Sequence, residues 1–89
     1  MAMYRIIVDS SAEKDIDQLP TNIVKKIAKA IDALATDPRP IGVKKLRGSQ
    51  ENLYRIRSGD YRIIYALNDT IMIVNIRRVR HRKDVYRNL

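Results

Sequence analysis

The sequence predicts an α+β domain in which two N-terminal helices pack on one face of a mostly antiparallel, four-stranded sheet. The element order is β-α-α-β-β-β, closing in a short C-terminal helix or tail. Three observations predict it: a short β-prone run opens the chain, two segments of helical periodicity follow, and every later apolar segment is short and bounded by turn residues. The 89 residues make a single domain, 1–89. A domain of that size hides only about two-thirds of its unfolded surface. Phe and Trp are absent, so Ile, Leu, Val, Ala and Tyr must fill the core, and an apolar content of 45% excludes a disordered chain.

Tyr4-Arg5-Ile6-Ile7-Val8 is the first strand. Ser10 with Glu13 three residues on has the form of a capping box, and Ala12, Ile16 and Leu19 recur at helical spacing over residues 11–19. Pro20 ends that helix and opens the next, where its fixed φ suits the first turn. Ile23, Ile27, Ala30, Ile31 and Leu34 then share one face, while Lys25, Lys26, Lys29 and Asp32 mostly take the other, giving an amphipathic helix of about four turns. Asp37-Pro38 stops it, because the residue before proline avoids the α region. Residues 37–50 hold Pro38, Pro40, Gly42 and Gly48 and read as a surface loop.

Leu53 to Arg57 alternates, with Leu53, Arg55 and Arg57 on one face and Tyr54 and Ile56 on the other. Ser58-Gly59 supplies a tight turn, residues 60–67 the next strand, and Asn68-Asp69 a two-residue hairpin loop. Thr70 to Val79 is the last strand. Ile71, Met72, Ile73, Val74 and Ile76 make it apolar on both faces at first, which places it inside the sheet and not at an edge. Residues 80–89 then leave the sheet.

The charge is unevenly spread. Residues 1–40 carry six basic and six acidic groups, whereas residues 41–89 carry twelve basic against four acidic, so the whole net charge of +8 lies in the second half. A localised excess made mostly of arginine points to a polyanion met by one face. A solvated basic surface is the plain alternative. With no Cys and one His, the chain has neither a disulfide framework nor a thiolate or histidine-cluster metal site. No apolar run approaches the roughly 20 residues of a membrane span. The start of the chain also lacks a signal-peptide pattern, so a soluble cytoplasmic protein without membrane contact is the default expectation.

Arg55 and Arg57 lie two apart on a strand and point the same way, and Arg62 begins the adjacent strand. Arg77, Arg78, Arg80, Arg82 and Lys83 follow at the far end of the sheet, and Lys44, Lys45 and Arg47 ride on the long loop. Clustered arginines on a rigid sheet suit phosphate, because the planar fork holds two oxygens at once. Alternating arginine on a solvent face is also ordinary protection of a strand edge. Tyr54, Tyr61, Tyr65 and Tyr86 are possible stacking surfaces for bases, with Tyr86, set in a charged tail, the best placed for function. His81 is the one side chain that ordinarily titrates near neutrality. Neighbouring cations favour the neutral form that suits a base, although a surface histidine with no role fits as well.

The segment Tyr54-Arg55-Ile56-Arg57-Ser58-Gly59-Asp60-Tyr61-Arg62-Ile63-Ile64-Tyr65 resembles the sheet core of RelE/ParE superfamily toxins. Lys44-Lys45-Leu46-Arg47-Gly48 before it, and Val79-Arg80-His81-Arg82-Lys83-Asp84-Val85-Tyr86 after it, match the same pattern in order and spacing. Arg82 and the late Tyr86 favour the RelE branch. The resemblance implies a toxin of a type II toxin–antitoxin system that cuts messenger RNA in the ribosomal A site without metal or cofactor. The 2′-hydroxyl attacks its own 3′-phosphate. By position, Arg55 and Arg57 fill the two basic sites of the first core strand and Arg62 clamps the phosphate. Arg82 stabilises or protonates the leaving group, Tyr86 stacks on a base or orients the substrate, and the remaining basic residues contact RNA or ribosome. The best-known relative has lysines at the first two positions; here both are arginine, which stays protonated and leaves His81 as the candidate base. The implied partners are the ribosome and messenger RNA, and an acidic, helical RelB-like antitoxin through which alone the toxin meets operator DNA. Two other readings are a ParE-like, non-enzymatic inhibitor of DNA gyrase and a non-toxic basic binding module.

Overall fold

The computed structural model describes residues 3–48 and 50–84. The chain runs β1 (Arg5–Val8), α1 (Ser10–Asp17), α2 (Thr21–Ala33), β2 (Lys44–Lys45), β3 (Leu53–Ser58), β4 (Tyr61–Asn68) and β5 (Ile73–His81). The strands form one sheet in the order β1-β5-β4-β3-β2. β1 is parallel to β5, and the other pairings are antiparallel. This is the predicted α+β architecture with a fifth strand added. Lys44 and Lys45 pair with Arg55 and Tyr54 where the sequence predicts only loop. Two residues carry no readable periodicity; they pair because β3 otherwise offers unfilled backbone groups, and the Leu46 amide continues the contact to the Leu53 carbonyl at 2.8 Å.

Both helix starts differ from the sequence expectation. Asp9, not Ser10, is the N-cap of α1, and no side chain caps it, so the capping box does not form. Pro20 is the N-cap of α2 and not its first helical residue; its carbonyl accepts the Ile23 and Val24 amides, both at 3.0 Å. α2 turns Ile27 and Ile31 inward, and they meet Tyr54 and Ile56 of β3, Ile63, Tyr65 and Leu67 of β4 and Val74 and Ile76 of β5 in one core. The helices therefore cover one face of the sheet. The intervening residues Arg55, Arg57, Arg62 and Ile64 look out from the other.

β5 is interior, as its two-sided apolar start implies. It begins at Ile73 and not at Thr70, because residues 69–72 form a longer hairpin loop than the two residues predicted. The Asn68 side-chain oxygen accepts the Thr70 and Ile71 amides at 3.0 and 3.1 Å, and Met72 takes a positive φ of 56°. A side chain that satisfies backbone donors in this way competes with the ladder. At its other end β5 continues past Val79, since Arg80 and His81 still pair with Arg62 and Tyr61. Residues 82–84 then turn; the rest of the predicted C-terminal helix or tail lies outside the described residues.

Two features of β5 determine which partners its arginines reach. β1 pairs with β5 only as far as Ile76, and beyond it Asp15 of α1 takes over the free edge, accepting the Val79 amide at 3.0 Å. A register shift opposite Ile64 and Tyr65 leaves Arg77 unpaired in the ladder, so Arg77 and Arg78 turn to different acidic groups.

Candidate nucleic-acid interface

The face of the sheet away from the helices is cationic at the end where the β3–β4 turn meets the end of β5. Arg55 sits midway along β3, opposite Lys44 on one side and Ile64 on the other. It is only 6% exposed, and its Nε has no hydrogen-bond partner. Among the described residues no carboxylate pairs with it, and a guanidinium taken out of water in that way is unfavourable. Arg57 is exposed and lies directly opposite Arg62 in the ladder. Like charges facing across strands destabilise the pairing, and an anion between them would remove that penalty.

Arg62 is held by the turn it follows. Its Nη1 donates to the carbonyls of Gly59 and Tyr61, both at 3.0 Å. Burial, and then the positive charges of Arg57, Arg55 and Arg82, lower its pKa, while Asp60 opposes them. Arg82 is docked on the same turn: its amide donates to the Asp60 carbonyl at 2.7 Å, and its Nε lies 3.9 Å from the Asp60 carboxylate. Gly59, at φ 59°, lets the chain make the turn that places Asp60 there. Four arginines from three chain segments thus share one field, and a phosphodiester is the ligand their forks fit.

The other sequence-predicted residues divide. Lys44 lies on the same side of the sheet as Arg55 and extends the patch; Lys45 alternates to the helix side, and Arg47 and Lys83 are exposed. Arg77 and Arg78 are engaged in the fold. Arg77 makes a two-point pair with Glu51 at 2.7 and 2.9 Å, with Asp9 at 3.5 Å, and Arg78 makes one with Asp15 at 2.9 Å. Arg80 faces Arg62 in the ladder, and its Nη1 donates to the Asp84 carbonyl at 3.2 Å. Tyr86 lies outside the described residues. Of the other tyrosines, Tyr54 and Tyr65 belong to the core, stacked with ring centroids 5.9 Å apart.

His81 does not share the face of Arg55, Arg57 and Arg62; it lines a cleft with Arg78 and Arg80. It pairs with Tyr61 on the helix side of the sheet, edge to face at 5.5 Å, and its Nδ1 accepts the Lys83 amide at 3.2 Å. In that arrangement the neutral ring carries its hydrogen on Nε2 and has no free lone pair. The residue that sequence reasoning missed is Asp60. A lone acid between Arg57 and Arg62 is a readable signal, masked by its ordinary place in a Ser-Gly-Asp turn. Among the described residues no helix is long and apolar enough to cross a membrane.

The family model described as the ParE toxin of type II toxin–antitoxin systems matches residues 6–86. The chain is 33% identical over 85 residues to toxin RelG of Mycobacterium tuberculosis, covering 94% of this chain and 97% of that one. In structure it resembles the toxin in the archaeal RelE–RelB complex from Pyrococcus horikoshii, with 31% identity and a TM-score of 0.79 over 90% of this chain and 96% of that one. It also resembles a chain of the toxin–antitoxin complex RelBE2 from Mycobacterium tuberculosis, with 27% identity and a TM-score of 0.81 over 90% and 99%. The fold is therefore shared, and the chain belongs to the RelE/ParE superfamily of type II toxin–antitoxin toxins, on its RelE-like side.

Proposed function

We propose that this toxin is a ribosome-dependent endoribonuclease that cuts messenger RNA in the ribosomal A site. The observation that carries the reading is the group formed by Arg55, Arg57, Arg62 and Arg82, concentrated on a sheet face that the helices leave open. Phosphodiester cleavage by the 2′-hydroxyl passes through a phosphorane whose extra negative charge such a group stabilises. Arg62 and Arg57 clamp the phosphate oxygens, and Arg82 lies on the leaving oxygen. Buried Arg55 holds the field positive from below, and Lys44, Arg47 and Lys83 receive neighbouring phosphates. Dependence on the ribosome is what the family resemblance implies, and it fits the exposure of Arg57 and Arg82, side chains that a flexible single strand meets at the surface.

The partner in the cell is an acidic, helical, RelB-like antitoxin. The Pyrococcus horikoshii and Mycobacterium tuberculosis complexes support this by analogy, as does the positive charge of the open face. A short neighbouring reading frame encoding such a protein, whose product blocks cleavage, is the expected companion.

The test incubates purified protein with a defined message, with and without ribosomes. Cleavage only in the presence of ribosomes is the expected result. The matched family model carries the ParE name, which makes DNA gyrase the second target to assay. An intact message together with inhibited supercoiling would replace the nuclease by a gyrase inhibitor. Inactivity in both assays would leave a basic binding module.

A further inference from the structure

The proposed reaction needs a group to take the 2′-hydroxyl proton, and the arginines cannot serve because they stay protonated. Asp60 is the acidic group acting on Arg62, and its carboxylate lies 3.9 Å from Arg82 Nε. Its side chain is 68% exposed, so a substrate can reach it. Its backbone is fixed as well, since its carbonyl accepts the Arg82 amide at 2.7 Å. The charged groups facing it are Arg62 on β4 and Arg82 after β5, with Arg57 and Arg55 of β3 behind Arg62. On the nuclease reading these guanidinium groups meet the phosphate, which makes Asp60 the carboxylate beside the reacting group.

Resting on the nuclease reading, we infer that Asp60 is the general base of the cleavage reaction. Its carboxylate accepts the proton of the 2′-hydroxyl as the O2′–P bond forms and the P–O5′ bond breaks. The leaving O5′ takes a proton from a solvent water while Arg82 holds its charge. The hydroxide so formed recovers the proton from Asp60, and the products are a 2′,3′-cyclic phosphate and a 5′-hydroxyl. The arginines keep their protons throughout.

The test measures single-turnover cleavage of ribosome-bound message by the wild-type protein, Asp60→Asn and Asp60→Glu across a pH series, with folding checked by circular dichroism. General bases contribute about 10²–10⁴-fold, so Asp60→Asn should cut at least about a hundred times more slowly. The wild-type rate should fall with unit slope toward acid pH, and that limb should vanish in Asp60→Asn. Asp60→Glu, which keeps a carboxylate, should recover part of the rate and the limb. Wild-type cleavage with an Asp60→Asn rate within about threefold of it overturns the inference and leaves the nuclease reading standing. A slow Asp60→Asn variant that keeps the acid limb also overturns it, reducing Asp60 to a group that positions Arg82. A wild-type protein that leaves the message intact removes both.

Discussion

Arg78 and Asp15 meet through two parallel hydrogen bonds, Nε to Oδ2 and Nη2 to Oδ1, both at 2.9 Å, and the same carboxylate accepts the Val79 amide. The pair closes the edge of β5 that β1 leaves open, so α1 is joined to the sheet by charge-assisted bonds where a strand would otherwise pair. Burial by itself pushes the Asp15 carboxyl up. The hydrogen bonds from Arg78 and Val79, with the charges of Arg78 and Arg80, outweigh it and hold the pKa below the ordinary value. A carboxyl with a lower pKa folded than unfolded adds stability above the unfolded value, and that contribution disappears as pH falls through the folded one. Asp15→Ala should lower the unfolding free energy at pH 7 by about 1–3 kcal/mol. In urea titrations the variant should also lose less stability on acidification than the wild-type protein does. Matching midpoints at pH 7 would mean that the pair contributes nothing net.

Arg62→Ala and Arg82→Ala should each abolish cleavage while the fold survives. Removing one donor from a developing oxyanion lowers the rate about 10²–10³-fold. Neither side chain belongs to the core, and the turn that holds them keeps its backbone bond between Arg82 and Asp60. Far-ultraviolet circular dichroism should therefore match the wild-type spectrum. Arg62→Lys should recover little, because a point charge cannot donate to two phosphate oxygens in one plane. Full activity in both alanine variants would exclude the arginine group from the chemistry.

Much of this site is legible before any coordinates. Period-two alternation puts Arg55 and Arg57 on one face, and the Ser58-Gly59 turn brings Arg62 beside Arg57. What escapes depends on tertiary context. Arginine alternating on a strand reads as solvated, so the burial of Arg55 is invisible, although the adjacent apolar pair Ile63-Ile64 hints that both faces of β4 are covered. Arg77 and Arg78 look like site residues because their acidic partners, Glu51, Asp9 and Asp15, are distant in sequence. The bulge that separates the two has no sequence signature. β2 is missed because its pairing exists only through β3, and the longer β4–β5 loop because Asn68, a good turn former, bonds its own backbone.

His81→Gln separates proximity in sequence from proximity in space. His81 precedes Arg82 but faces the helix side, with Nδ1 already accepting the Lys83 amide at 3.2 Å. If His81 were the base, its loss would flatten the activity profile between about pH 5 and 8. On the structure the expected result is an unchanged profile and a rate lowered by less than about tenfold, well short of the 10²–10⁴-fold contribution of a general base. A flattened profile would require the ring to leave Tyr61 and cross to the arginine face.

Arg55 sets stability against function. The residue is 6% exposed, with a buried Nε that has no hydrogen-bond partner, and it shares a field with Arg57 and Arg62. Replacing a buried charge by an apolar side chain of similar length removes the desolvation penalty and keeps the packing beside Ile64. Arg55→Met should therefore stabilise the free toxin by about 1–4 kcal/mol, read as a higher urea midpoint at unchanged slope. The same change should weaken binding of a short RNA oligonucleotide, because the positive field that Arg55 adds from below is lost. A destabilised Arg55→Met variant would mean that the guanidinium is satisfied in solution. A stabilised variant with unchanged RNA binding would make Arg55 structural. Gain of stability together with loss of RNA affinity is the pattern expected of a charge kept in the sheet for its ligand.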